Sequence, residues 1–192
     1  MTKSKTSTIA IVVLSVLLAA ALAATIVLAA FTATRSAVTT IQFAGGLEMK
    51  VAYENGQYTA SDNTISYSPA NSGSLTGTTE IEDNLGIAVS AASTVTCTIG
   101  VKINNVAATL TNGVAQDAKV KVTFTFGSDW TGDAATKTAT FAAATTEYAS
   151  ISAYHSEMSV LVEKITIEGV TSDNDLAGQN IEITFTFNGT TA

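Results

Sequence analysis

The sequence contains very few of the residues on which catalytic and metal-binding sites usually depend. Among 192 residues there is one cysteine, one histidine and one proline, and charged residues make up 13%, about half their usual share. A single cysteine excludes an internal disulfide, and a single histidine excludes a multi-histidine metal site. The net charge of −7 argues against nucleic acid as a partner, because phosphates need a basic surface.

The remaining candidates for chemistry are weak. His155 is followed by Glu157, but a zinc-peptidase helix needs two histidines one turn apart, so we predict a surface or structural role for this histidine. Cys97 has the apolar parity of a predicted strand and is predicted to be a buried structural thiol. The acidic groups at residues 173–175 and 80–83 fall in predicted turns, and neither matches an EF-hand loop. We therefore predict no enzymatic activity and no cofactor.

The N-terminus combines two lysines with a long apolar run. Lys3 and Lys5 precede an uncharged stretch whose apolar centre is residues 9–31. Such a run is long enough to span a bilayer as a helix, and the same arrangement is typical of a secretory signal. Small residues at its end predict cleavage between Ala29 and Ala30, and the alternative is a retained anchor. Either way residues 1–29 form a signal or membrane segment, and the rest of the chain lies outside the cell because positive charge stays on the cytoplasmic side.

Beyond residue 40 the chain alternates apolar and polar residues in the way that half-buried strands require. The alternation is clearest over residues 94–103, 120–126 and 181–187. Weaker strand candidates are residues 47–53, 64–67, 85–90, 106–111, 136–142 and 158–168. Turn residues separate the candidates, as at Asn112-Gly113. Eight or nine short strands of this kind predict an all-β domain over residues 41–192, folded as a Greek-key or jelly-roll-like β-sandwich.

Trp130 stands between two turn signals, in the stretch Gly127-Ser128-Asp129-Trp130-Thr131-Gly132-Asp133. This position predicts a hairpin tip. At such a tip the indole is either exposed, where it would contact another subunit, or folded back against the core. The sequence alone leaves both possibilities open.

Both ends of the predicted domain resemble a known family. After the apolar run, residues 43–49 read Phe-Ala-Gly-Gly-Leu-Glu-Met, and residues 178–187 read Gly-Gln-Asn-Ile-Glu-Ile-Thr-Phe-Thr-Phe as a closing strand. In order and in spacing from the chain ends, these segments resemble the TasA and camelysin-type secreted proteins, including archaeal bundling pilins. The likeness is confined to these two ends of the chain.

The resemblance implies a jelly-roll subunit that polymerises outside the cell into a pilus or biofilm-matrix fibre. In such fibres the N-terminal segment of one subunit completes the sheet of the next, so the partner is another copy of the chain, and neighbouring fibres form bundles. Carried over to this sequence, the donor strand is residues 30–40. It comprises Ala30, Phe31, Thr32, Ala33, Thr34, Arg35, Ser36, Ala37, Val38, Thr39 and Thr40.

Several alternatives remain open at this point. Residues 30–40 would be only a tether if the chain is an anchored surface domain. A type IV-like pilin would keep its N-terminal helix as the core of the fibre, and a camelysin-like surface peptidase would depend on His155. Asn188-Gly189-Thr190 matches the N-glycosylation pattern, which fits a secreted, cell-surface protein. We predict contact with a membrane only through residues 1–29, before processing.

Overall fold

Thirteen β-strands and one short 3-10 helix make up the regular structure of the described chain. The computed structural model describes residues 37–53, 58–68, 78–133, 135–145 and 158–192, with the backbone alone described at Ala37 and at residues 81–84. All of them belong to one unit of the chain, Arg35–Ala192. The strands are β1 (Ala37–Gln42), β2 (Glu48–Tyr53), β3 (Tyr58–Ser61), β4 (Thr64–Tyr67), β5 (Thr79–Val89), β6 (Ser93–Ile103), β7 (Val106–Ala108), β8 (Leu110–Thr111), β9 (Val114–Gln116), β10 (Val120–Phe126), β11 (Thr136–Phe141), β12 (Ser159–Gly169) and β13 (Ile181–Thr191). The 3-10 helix covers Asp173–Leu176.

The strands form two antiparallel sheets. The first sheet has seven strands in the order β1-β2-β5-β12-β10-β9-β8. The second runs β11-β6-β13-β4-β3, and β7 pairs with β6 beside this path. The predicted all-β architecture is therefore confirmed, although the described chain has thirteen strands rather than eight or nine.

The two sheets face each other across one hydrophobic core. In β6 and β13 every second side chain is buried, as the alternation in the sequence predicted. Phe185, in the middle of β13, is fully buried and meets Phe124 of β10 edge-on, with ring centroids 6.4 Å apart. Because β13 and β10 belong to different sheets, this contact joins the two inner faces.

Several elements differ from the sequence-based predictions. Strands β3 and β9 have four and three residues, which is too short for alternation to reveal them. The predicted strand at residues 106–111 divides into β7 and β8, which belong to different sheets. Residues 80–83 were predicted to form a turn and instead lie inside β5. These acidic residues lie in a strand because their backbone pairs with β12. The Lys164 Nζ atom lies 2.7 Å from the Glu80 carboxylate and balances one of their charges.

The N-terminal predictions fall largely outside the described residues. This holds for the signal or anchor segment at residues 1–29, for the cleavage position at Ala29 and Ala30, and for residues 30–36. Strand β1 begins at Ala37, four residues before the predicted start of the domain. Among the described residues, no helix has both the length and the hydropathy that a membrane crossing requires.

Candidate functional site at the β1 edge

Strand β1 ends the first sheet on one side of the described chain. It pairs with β2, from Ala37 opposite Tyr53 to Gln42 opposite Glu48, and no described residue pairs with its other side. An edge of six residues is long enough to serve as a template for another strand. It is the part of the fold on which a strand-addition function would depend.

The pairing with β2 decides which backbone groups of β1 face outward. Just beyond the strand, the N–H of Phe43 donates to the carbonyl oxygen of Leu47 at 2.9 Å. Hydrogen-bonded residue pairs alternate with non-bonded pairs along an antiparallel ladder. The N–H and C=O groups of Val38, Thr40 and Gln42 therefore point away from β2, toward the open edge of the sheet.

Side chains on both faces hold β1 in place. Ile41 is 2% exposed and belongs to the shared core. On the outward face, Val38 packs against a small apolar cluster that contains Ala52 and Met158. Because side chains on both faces hold the strand in place, the N–H and C=O groups along its open edge have a fixed geometry.

A cleft of about 540 Å³ lies beside this edge. One wall is β1 and the turn that follows it, and the other is the β3–β4 hairpin. The residues that line it are Thr39, Thr40, Gln42, Phe43, Ala44, Ala60, Ser61, Asp62 and Asn63. Because β3 is the last strand of the second sheet, the cleft lies where both sheets end.

Both walls of the cleft are fixed to the same strand, β13. The Phe43 ring packs on the backbone of β13 so closely that a Cβ atom on Gly189 would come within 2.7 Å of it, and only glycine allows this approach. On the opposite wall, the Asn63 Nδ2 group donates to the carbonyl oxygen of Phe187 at 2.9 Å, and the Phe187 N–H donates to the Asn63 carbonyl at 2.9 Å. Contacts with the core strand β13 therefore hold both walls of the cleft in position.

The other edges of the described sheets are less suited to accept a strand. Strands β8 and β3 have two and four residues. Strand β11 has six residues, but Thr131 covers the middle of its outer side. The N–H of Thr131 donates to the Thr138 carbonyl at 3.0 Å, and the Thr138 N–H donates back at 2.8 Å. Among the strands that end the two sheets, β1 thus offers the longest outer side that no described residue covers.

The predicted donor strand, residues 30–40, spans the start of the described chain. Its last four residues, Ala37–Thr40, lie in β1 and pair with β2 of the same chain. Ala30, Phe31, Thr32, Ala33, Thr34, Arg35 and Ser36 lie outside the described residues. The sequence predicted that the donor strand ends and the domain begins at residue 40. In the structure, the last four residues of that predicted strand belong to the domain.

Cys97 is fully buried in the inner face of β6, as predicted. Burial raises the pKa of its thiol well above the ordinary range, so the reactive thiolate is scarce at neutral pH. We expect a thiol reagent such as DTNB to leave the native protein unmodified and to label one thiol per chain in denaturant. Rapid labelling of the native protein would show that this part of the second sheet opens.

Trp130 is folded back against the core. Its side chain is 4% exposed and its ring meets Phe141 at an angle of 74°, with centroids 6.4 Å apart. The indole is therefore not available for a contact with another subunit. Asn188, the predicted glycosylation site, is exposed on the outward face of β13, where its backbone lies opposite Thr96.

The acidic turn at residues 173–175 has a structural explanation. The Asp175 carboxylate accepts hydrogen bonds from the Thr171 hydroxyl at 2.7 Å and from the Thr171 N–H at 2.8 Å. These bonds, the hydroxyl first, lower the pKa of Asp175 and close the turn. Among the described residues, no group of three His, Cys, Asp or Glu side chains is arranged to hold a metal ion. His155 and Glu157 lie outside the described residues.

Comparison with known proteins finds no relative for this chain. No protein-family model matches the sequence, and no curated protein or solved structure gives a significant match. What supports a function is therefore the geometry of the β1 edge, together with the sequence of the segment that precedes it.

Proposed function

We propose that this chain is an extracellular structural subunit that polymerises into a pilus or biofilm-matrix fibre by strand addition. The N-terminal segment of one copy pairs with the β1 edge of the next copy. The observation that carries the proposal is the outward backbone of β1, which lies beside a cleft where both sheets end. In this proposal the two sheets form a jelly-roll-like sandwich, and the TasA and camelysin-like ends of the sequence point to the same kind of subunit.

Residues 30–36 supply the donor in this proposal, while Ala37–Thr40 remain in β1. Removing β1 from its own sheet would expose Ile41 and break the hairpin with β2. Adding a strand at the open edge of β1 leaves Ile41 buried and the hairpin with β2 intact. The donor and the acceptor edge are then consecutive in the chain, so each copy offers one arm and accepts one arm. Such a head-to-tail contact produces a filament when its rotation does not close a ring.

Backbone pairing alone does not drive this assembly. The outward groups of Val38, Thr40 and Gln42 would form about six hydrogen bonds, each contributing ~1 kcal/mol net. Ordering a donor of about seven residues costs ~1–2 kcal/mol per residue. The margin must come from apolar burial, and Phe31 is the one large apolar side chain in the donor segment. Its burial in the cleft contributes about 1.5–3 kcal/mol.

The substitution Thr40→Pro tests the proposal at the acceptor edge. The N–H of Thr40 points away from β2, so proline removes a donor that the chain's own hairpin does not use. We expect the variant to keep its circular dichroism spectrum and melting temperature, and to stay monomeric where the unaltered exported protein forms fibres in negative-stain images.

Thr136→Pro is the matched control, because Thr136 occupies an outward-facing position on the β11 edge. This variant should fold and polymerise as the unaltered protein does. Fibres formed by a folded Thr40→Pro variant would refute strand addition at β1. Loss of fibres in both variants would show that proline acts on stability rather than on the acceptor edge.

A second candidate, a type IV-like pilin, is supported by the apolar run at residues 9–31, which is long enough to remain as a helix. The two candidates differ in where the mature chain starts. Sequencing the N-terminus of the assembled protein should find Ala30 first if the arm is the donor. A start near residue 5 would favour a helical fibre core instead.

A further inference from the structure

The sequence around the proposed donor strand carries a single charge. From residue 6 to residue 47 there is one charged side chain, that of Arg35. A cation in a strand that lies against another copy must find an anion or stay in water, because burying an unpaired charge costs free energy. The place of Arg35 in the donor strand therefore restricts how that strand can bind.

Alternation decides which face of the donor strand carries this charge. Successive side chains of an extended strand lie on opposite faces, so Phe31 and Arg35 share one face, and Thr32, Thr34 and Ser36 share the other. A strand added at the open edge of β1 has one face toward the second sheet and one toward solvent. The three hydroxyl side chains suit the solvent, which places the phenyl ring and the guanidinium group together on the side of the cleft.

The cleft offers one anionic group to such a strand. Asp62 is the only charged residue among the nine that line it. Together with Asn63, which is fixed to β13, it forms the turn of the β3–β4 hairpin. Its side chain is exposed, and no described residue forms an ion pair or hydrogen bond with its carboxylate. Asp62 is therefore held in position and open to a cation from outside.

The donor face and the cleft also have matching lengths. Phe31 and Arg35 are four residues apart, which is ~13 Å in an extended strand. The β1 wall of the cleft runs from Thr39 to Phe43 and covers the same four residue steps. A donor strand laid along this wall can therefore keep both side chains within the cleft.

We propose that Arg35 of one copy pairs with Asp62 of the next copy, and that this ion pair aligns the donor strand in the cleft. The inference rests on the proposed function, because it concerns the same contact between copies. A guanidinium group and a carboxylate form two parallel, charge-assisted hydrogen bonds. Charge complementarity at the rim of a contact contributes more to specificity than to affinity.

The ion pair supplies what backbone pairing lacks. A shift of the donor strand by two residues keeps the same side chains facing the cleft, so hydrogen bonds along β1 do not distinguish the two registers. The same shift moves Arg35 by ~6.6–6.8 Å along the edge and separates it from Asp62. The register that keeps the ion pair is therefore favoured over its neighbours.

A second carboxylate near this edge is less suitable as the partner. Glu48, at the start of β2, already accepts a hydrogen bond from the Gln42 Nε2 group at 2.6 Å. The neighbouring side chain, Met49, points into the shared core, so Glu48 lies on the outward face of the first sheet. An arginine that faces the cleft lies on the other side of that sheet.

Two charge-reversed variants of the exported protein test the inference. In Arg35→Glu and in Asp62→Lys, like charges would meet, so the concentration at which fibres form should rise about tenfold in each. An equimolar mixture should form fibres near the concentration of the unaltered protein, because each arm then meets a cleft of opposite charge on the other variant. The measurement is the protein left in the supernatant after sedimentation.

Two further variants serve as controls. Asp62 has a positive φ of 50°, a conformation that asparagine also adopts. Asp62→Asn therefore removes the charge while keeping the turn, and should raise the fibre-forming concentration about threefold. Asp133→Lys makes the same change of net charge as Asp62→Lys at an exposed aspartate before β11, and should polymerise as the unaltered protein does. Circular dichroism and the melting temperature show whether each variant is folded.

The other results overturn the inference. If both Asp62 variants form fibres like the unaltered protein while Thr40→Pro does not, strand addition stands and the ion pair is refuted. If the mixture stays monomeric although both variants are folded, the two side chains do not meet. Rescue of Arg35→Glu by Glu48→Lys in the same chain would place Arg35 on the outward face. If the unaltered exported protein forms no fibres, the proposed function fails together with this inference.

Discussion

Replacing Phe185 by alanine should lower the free energy of unfolding by about 3–5 kcal/mol. Phe185 lies at the centre of β13 with its side chain fully buried. Its backbone is paired on both sides, with Ile99 of β6 and with Ile65 of β4. Because both neighbouring strands hold the site open, the cavity left by the ring cannot collapse, and the cost should lie toward the upper end of that range.

Urea denaturation measures this effect, and Phe126→Ala is the control. Phe126 is half-buried at the end of β10, where its ring stacks on Phe124 with centroids 5.7 Å apart. We expect this variant to lose about 1–2 kcal/mol, because part of the removed surface is already in contact with water. The slope of the unfolding free energy against urea concentration (the m-value) should be unchanged in both variants. Equal losses would contradict a single core shared by the two sheets.

The sequence predicts best those strands whose environment repeats along the chain. In β6, β10 and β13 one face is buried and the other faces solvent, so apolar and polar residues alternate. Burial on one side of a sheet imposes a period of two on the sequence itself. These three strands were predicted for that reason, and they supply much of the core.

The candidate site depends on contacts between residues that are distant in the sequence, and no local pattern reports them. Strand β1 includes residues 37–40, which were predicted as part of the donor strand from the resemblance to the TasA and camelysin-type proteins. It lies in the first sheet because Ile41 enters the core and Val38 packs on the outward face. The cleft exists because Gly189 and Phe187 of β13 hold Phe43 and Asn63 on its two walls.

The outward face of the second sheet shows the same division between local and non-local information. Its alternate threonines are visible in each strand of the sequence, for example at Thr94, Thr96 and Thr98. Their alignment into rows depends on the register of β6 with β11 and with β13, which lie far from it along the chain. Strand register is set by which residues enter the core, so the rows become visible only in the folded chain.

Replacing Phe31 by alanine should raise the concentration at which fibres form by about ten- to a hundredfold. In the proposed assembly, pairing along β1 does not by itself offset the cost of ordering the donor, so burial of this ring decides whether subunits associate. The outward groups of β1 and the lining of the cleft are unchanged in the variant. The measurement is the protein remaining in the supernatant after fibres are sedimented at equilibrium.

Thr32→Ala is the control for this measurement. It alters the neighbouring residue, whose side chain would lie on the opposite face of the proposed donor strand, and it removes much less apolar surface than the loss of Phe31. Fibre formation should therefore shift far less, within about threefold, which corresponds to less than 1 kcal/mol. Equal shifts for both variants would mean that no particular side chain of the arm enters the cleft. An unchanged critical concentration for Phe31→Ala would remove the apolar contribution that strand addition at β1 requires.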